Sequence, residues 1–493
     1  MKPISFLSAI CCVMGLVLSG TAETIPTGKN ADKVTPDNPS IVNILAYGVR
    51  TDGTADCTAG FQKALDDMAA RNGGIVMVPT GRYRFDGSLT VPRNVAIKGT
   101  YLYSPSHFGD RGKDSQPPNS GSVFEVYGGR GDENAKPFIT LLSSATVQGV
   151  VVVYPEQQRD AEKPIPYPYT FALRENNPAL LDVELLNPYN GVDVSHSQRH
   201  LVRNVHGQPL HIGLYADAIY DIGRIENVHW NPWWSYSLEE GAFVWQRTNG
   251  VGFIFGRTDW HYVLNTFAFG YSVGYRFIRT ENGAANRNFL GIGADYCRTA
   301  VEIEDTSHFG LLITNGEFVS ATQMHLKETE NPVILRVAPS FTGTARFVNC
   351  AFWGPTRRTA VIEGYGLVGL SDCTFVNWGH LVFEGEREPR DEAWAIEARS
   401  GAVMIRGCEF MEKRPQVWIG SEVDRAVISD NIVNGPVVIH NESSGNIIVR
   451  DNAGRPDSAA WKERYQHRED MRAGRGRAPW SPPKNISPPQ KIR

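Results

Sequence analysis

A unit of about 23 residues recurs through this chain, and it constrains the fold more than any other feature. Three copies show it plainly: Phe347-Val348-Asn349-Cys350-Ala351-Phe352, Leu370-Ser371-Asp372-Cys373-Thr374-Phe375 and Ile405-Arg406-Gly407-Cys408-Glu409-Phe410. One Asn, Asp or Gly marks each unit, at Asp182, Asn204, Asn227, Asn315, Asn349, Asp372, Gly407, Asp430 and Asp451. Steps of 21 to 23 residues separate five of the eight neighbouring pairs, and the step of 35 from Asp372 to Gly407 is one unit plus a loop. Each unit reads as a short strand, a tight turn and another strand. Alone it cannot bury its apolar side. Stacked at about 4.8 Å per rung, it can, because inward side chains then form continuous ladders. Cys350, Cys373 and Cys408 share one ladder position, with Phe352, Phe375 and Phe410 two residues on. Asn431 and Asn452 fall in the cysteine register, which predicts an amide ladder at the end of the coil. The expected fold is all-β, a right-handed parallel β-helix. A β-propeller would need blades of about 40 residues.

A stack of strands has an open end, and the stretch Val42–Gly99 reads as its cap. An apolar strand is expected at 42–46, then a Gly/Asp turn at 48–53, then a helix over about Cys57–Arg71. Phe61, Ala64, Leu65 and Met68 recur on one face of that helix. Asp56 or Thr58 is placed to cap it, and Asn72-Gly73-Gly74 stops it. Strands are expected at 75–79, 83–85 and 89–91. A helix across the first strands blocks edge pairing.

Gly48 through Tyr83 follow the pattern GV-x-x-DG-x-x-D-x-T, Q-x-A-L and GG-x-V-x-VP-x-G-x-Y. This resembles the opening segment of the pectate-lyase-like superfamily, in the branch beside the polygalacturonase-type glycoside hydrolases. The resemblance implies a right-handed parallel β-helix with an N-terminal capping helix, and a polysaccharide as partner. Polygalacturonases carry Asn-Thr-Asp before a G-x-D-V segment, then an Asp-Asp pair, Gly-His-Gly and Arg-x-Lys. Here Gly191-Val192-Asp193-Val194-Ser195 resembles the segment, but Asn190 stands where an acid would be. One repeat later the chain reads Gln208-Pro209-Leu210-His211, and Gly-His-Gly is absent. That family's catalytic set does not carry over.

Residues 1–22 read as a secretory signal: Lys2, an apolar run over 4–18, and the small residues Gly20-Thr21-Ala22 before the cut. The run is too short to span a membrane comfortably. A secreted or periplasmic location is expected, with a β-helix domain over 40–455 and a charged, Pro-rich, disordered tail over 456–493. The stretches 104–135 and 157–169 read as long loops. Five cysteines remain after cleavage, an odd and sparse set that reads as buried thiols rather than a disulfide framework. A net charge of −4 offers no basic face for nucleic acid. No cofactor is called for. Calcium is compatible with the resemblance, but no acid cluster on one face argues for it.

Five of the eleven tryptophans fall within 230–260. Flat indole faces stack on sugar rings, and Asn or Arg side chains hydrogen-bond hydroxyls and carboxylates. Trp230, Asn231, Trp233, Trp234, Trp260, Arg257 and Arg279 are the expected substrate-binding residues; packing of a lateral loop is the alternative for the tryptophans. Asp217 stands 13 after Asn204, as Ser195 stands 13 after Asp182, so both belong on one face of neighbouring rungs. Asp259 and His261 alternate about Trp260 and would point to one side of a strand. A glycoside hydrolase would draw its carboxylate pair from Asp217, Asp221, Asp259 and Asp295. A uronate-directed lyase would use His229 or His261 as base and Arg257 or Arg279 to hold the carboxylate. A non-catalytic glycan-binding or surface structural protein, which could be a homotrimer, is the third reading.

Overall fold

The computed structural model describes residues 40–105, 120–237, 240–320, 332–380 and 392–455. The expected signal at 1–22 and tail at 456–493 lie outside the described residues.

Strand follows strand in register, each pairing in parallel with the one a rung away, to give a right-handed parallel β-helix. Thirty-eight of the described strands join in this array. Each rung contributes to three sheets. The first contains Tyr169–Leu173, Asn190–Asp193, Ile212–Ala216, Val251–Phe255, Val273–Phe277 and Thr299–Ile303. The second and third meet at the residue that marks each repeat. Asp182, Asn204, Asn227, Asn265, Asn315, Asn349, Asp372, Asp430 and Asp451 all have φ between +50 and +61°. Asn, Asp and Gly tolerate this left-handed conformation best, and it turns the chain from one sheet into the next. The amides then stack. Asn204 donates to Asp182 (2.8 Å), Asn227 to Asn204 (2.9 Å) and Asn349 to Asn315 (2.9 Å).

Inside the coil the side chains form the expected ladders. Cys350, Cys373 and Cys408 are buried, and all five described cysteines are free thiols. Phe352, Phe375 and Phe410 stack at 5.3 and 4.8 Å with nearly parallel rings. Asn431 donates to Asn452 at 2.8 Å and accepts from the Cys408 N–H, so the amide ladder continues the thiol column.

The helix Thr58–Ala70 buries Phe61, Ala64, Leu65 and Met68, and Phe61 packs edge-on against Tyr83, Phe85 and Phe124. Asp56 accepts from the N–H and hydroxyl of Thr58 at the start of the helix. Two local expectations need correction. The strand at 42–46 is shorter, Ile41–Asn43, because a 3-10 turn Ile44–Tyr47 follows, capped by the Asn43 side chain. The Gly/Asp turn runs directly into a strand, Asp52–Asp56. The stretch 104–135 also holds a wholly buried strand, Ser122–Val126, which pairs with Gly81–Phe85. Among the described residues no helix is long and apolar enough to cross a membrane.

Candidate functional site: two grooves on different sheets

The Trp-rich segment is mostly packing. Trp230 is fully buried, stacked 6.0 Å from Phe253. It fits because Gly213 faces it; a Cβ there would lie 2.5 Å from the indole nitrogen. Trp234 is buried in a lateral cluster with Leu210 and Ala242, outside the main core. Gln208, also buried, ties this layer down. Its side-chain oxygen accepts from the N–H groups of Trp234 and Ser235, and its amide donates to Ser235 Oγ and Gln246 Oε1. Trp233 sits edge-on to His229 at 5.0 Å, and Asn231 lies 3.4 Å from His229 Nε2. Sugar stacking is therefore corrected for Trp230 and Trp234, whose faces are covered. Trp260 is 58% exposed.

His261 is corrected as a base. His261 is fully buried, 3.0 Å from His200 Nε2. Burial and the neighbouring His200 push its pKa well below the ordinary value. Trp260 at φ +52° turns the chain, so Asp259 stays partly exposed while His261 enters the core. His229 packs between Trp233 and Phe267, and burial, with His206 adding, lowers its pKa to about 4.

Several of the expected acids are brought together, but they are held. Asp217 Oδ1 accepts from the Arg257 N–H (2.7 Å) and Thr280 (2.9 Å), and Oδ2 accepts from Asn282 (2.9 Å) and Tyr215 (3.3 Å). Burial opposes its charge, yet these bonds outweigh burial and lower its pKa. Asp259 accepts from Arg257 (2.6 Å) and Asn286 (2.7 Å). Asp221 is exposed in an ion pair with Arg199, and Arg279 pairs with Asp305 at 2.6 Å.

Beside this cluster, the outer face of the first sheet forms a groove of about 380 Å³. Asp193, Tyr215, Ile254, Arg276 and Glu302 are successive partners in one register, so they stand in a column one rung apart. The groove is lined by Tyr169, Asp193, Ile212, Tyr215, Ile254, Arg276, Ile278, Arg279 and Glu304. Arg174 pairs with Asp193, and Arg276 with Glu302 and Glu304. Asp193 also accepts from the Ser195 N–H at 2.8 Å. Burial raises the Tyr215 pKa, and Asp217, Asp193 and Glu281 add to it, so the phenol keeps its proton. Arg279 remains half-exposed. Sequence reasoning named only Arg279 here. Asp193 lay in view, inside the quoted Gly191–Ser195 segment; Tyr215 and Arg276 carry no local signal, because only the register brings them beside it.

A second groove, of about 330 Å³, opens on the third sheet and contains Asp295. It adds Glu317, Phe267, Asn265, Asn315 and Trp353, of which the sequence marks only Asn315, as a repeat corner. Asp295 and Glu317 belong to adjacent paired strands. Among the described residues no group of three or more His, Cys, Asp or Glu side chains is arranged to hold a metal ion.

The described residues form a right-handed parallel β-helix, and its opening segment is similar to that of pectate-lyase-like proteins. Residues 41–116 match the family model described as rhamnogalacturonase A/epimerase, pectate lyase-like. Mannuronan C5-epimerase AlgE3 of Azotobacter vinelandii is 41% identical over 64 residues, 12% of this chain and 4% of that protein. The chain thus matches only a small fraction of the length of the curated relatives. Among solved structures, the pre-mature gene product 12 of bacteriophage phi29 aligns with 84% of this chain and 56% of its own, at 14% identity and a TM-score of 0.51. The A-module of the A. vinelandii mannuronan C-5 epimerase AlgE6 aligns with 84% and 100%, at 14% identity and a TM-score of 0.37. At 14% identity the likeness to the phage protein concerns fold alone.

Proposed function

We propose that this chain is a carbohydrate-active protein that engages a uronate-containing polysaccharide in the groove of the first sheet and acts on it by proton transfer next to the carboxylate. The observation that carries this reading is the column Asp193–Tyr215–Arg276 with Arg279 beside it. Arg276 and Arg279 would take the substrate carboxylate and offset the charge that develops when the neighbouring carbon loses its proton. Asp193 would accept that proton. Tyr215, which keeps its own proton at neutral pH, would donate to the leaving oxygen in β-elimination. An epimerisation would share the first step. The match of the opening segment to a rhamnogalacturonase A/epimerase model supports a polysaccharide substrate.

Hydrolysis is less supported at this groove. Glu302, Glu304 and Asp305 are each ion-paired with arginine, and Asp217 accepts several hydrogen bonds, so none of them is set up as a protonated general acid. A hydrolytic reading has one observation behind it, the Asp295–Glu317 pair of the second groove.

The test is incubation with polymannuronate, polygalacturonate and rhamnogalacturonan in deuterated water. Unsaturated, ultraviolet-absorbing ends or deuterium at the carbon beside the carboxylate is the expected result. Tyr215→Phe should lower that rate by about 10²–10⁴-fold. New reducing ends without either signal, lost in Glu317→Gln and kept in Tyr215→Phe, would replace this reading with hydrolysis. Binding without product would leave a glycan-binding protein.

A further inference from the structure

A small hairpin stands beside the first groove. Arg279–Thr280 pairs antiparallel with Gly283–Ala284, apart from the parallel array. Its first residue, Arg279, lines the groove, and Asp305 holds the guanidinium. Asp217 holds the rest. Thr280 donates its hydroxyl to Asp217 Oδ1 and Asn282 donates its amide to Oδ2, each at 2.9 Å. The carboxylate lies this close because the next rung offers Gly256, where a Cβ would come 2.5 Å from Oδ1. Asp217 also reaches the column of the groove itself: the Tyr215 hydroxyl donates to Oδ2 at 3.3 Å. At 5% exposure Asp217 is too enclosed to meet a polymer directly. A buried carboxylate needs donors, and for stability any would serve. Here one donor belongs to the groove and two to the hairpin that carries Arg279.

We propose that Asp217 is a positioning residue of the first groove: it aims the Tyr215 hydroxyl and fixes the hairpin, so that Tyr215 and Arg279 keep one spacing about the sugar. Its role rests on the reading made above for that groove. Through Tyr215, Asp217 acts on proton transfer. Through Thr280 and Asn282, it acts on the arginine that takes the sugar carboxylate. The two effects separate, because Asp217→Asn disturbs both while Asn282→Ala disturbs the hairpin and leaves the Tyr215–Asp217 bond in place.

The experiment measures, on the full chain, kcat with the most rapidly turned over of the three polymers above and, by calorimetric titration, affinity for a galacturonate tetrasaccharide. Asp217→Asn keeps the shape but leaves one acceptor oxygen where there were two. It should lower kcat about tenfold and affinity about threefold or more. In a Tyr215→Phe background the same change should lower kcat by less than about twofold, because the hydroxyl it aims is gone. Asn282→Ala should weaken the tetrasaccharide about threefold and leave kcat within about twofold. An Asp217→Asn change that acts equally with and without the Tyr215 hydroxyl, or that leaves affinity unaltered, would overturn the positioning role. If the wild-type chain binds the tetrasaccharide but turns over none of the polymers, the proton-transfer reading fails by itself, and the affinities of Asp217→Asn and Asn282→Ala still decide whether Asp217 sets the hairpin.

Discussion

Trp230 and Trp260 show how far apart two residues of one type can stand. Trp230 fills the core against Phe253, while Trp260 projects from a corner. Trp230→Ala is expected to cost about 3–5 kcal/mol, because the cavity it leaves can only partly collapse. Trp260→Ala should stay within about 0.5 kcal/mol. Denaturant unfolding of the two variants checks this. The His200–His261 pair predicts a pH dependence with a definite sign. Burial lowers the His200 pKa to about 4 and drives His261 well below its ordinary value. Between about 6.5 and 4 the unfolded chain therefore binds protons that the folded chain refuses, so stability falls as pH falls through that window. The slope is up to about 1.4 kcal/mol per pH unit for each such proton. His261→Gln should reduce it, measured as denaturation midpoints from about pH 7 to 5. A midpoint that rises on acidification would contradict the burial of the pair.

At the scale of the element, the left-handed corner does the organising. Every repeat places an Asn, Asp or Gly there because other residues resist that φ. Asn204→Gly keeps the backbone freedom and loses the amide bonds to Asp182 and Asn227; Asn204→Ala loses both. The alanine variant should be the less stable by about 1 kcal/mol, read from thermal unfolding. The corner was legible in the sequence because a conformational constraint fixes the residue type. The ladders beside it were legible because a repeat of constant length sets neighbours in register. Strand limits were less so. The expected strand at 42–46 gives way to a 3-10 turn because the Asn43 side chain caps the Leu45 N–H. A local hydrogen bond of that kind leaves no mark in an apolar pattern.

For the whole molecule, the first sheet and the third each present a groove on one coil. Raising salt should weaken galacturonate binding in the first, where arginine would meet the sugar carboxylate, and calorimetric titration at several salt concentrations checks this.

The sequence by itself determined the coil, its cap, its buried thiols and its amide ladders. These follow from residue type and spacing along the chain, and a fixed repeat converts spacing into contact. It also brought several acids into view, among them Asp217, Asp259 and Asp295. Only the tertiary structure decided which of them face a groove. Burial closed off Trp230, Trp234 and His261, and hydrogen bonds held Asp217 and Asp259. The grooves join residues from separate rungs: Asp193 with Tyr215 and Arg276, and Asp295 with Glu317 and Trp353. Which side chains meet across rungs depends on loop lengths, bulges and the direction each strand leaves its corner. Those are properties of the packed coil, and no short stretch of sequence carries them.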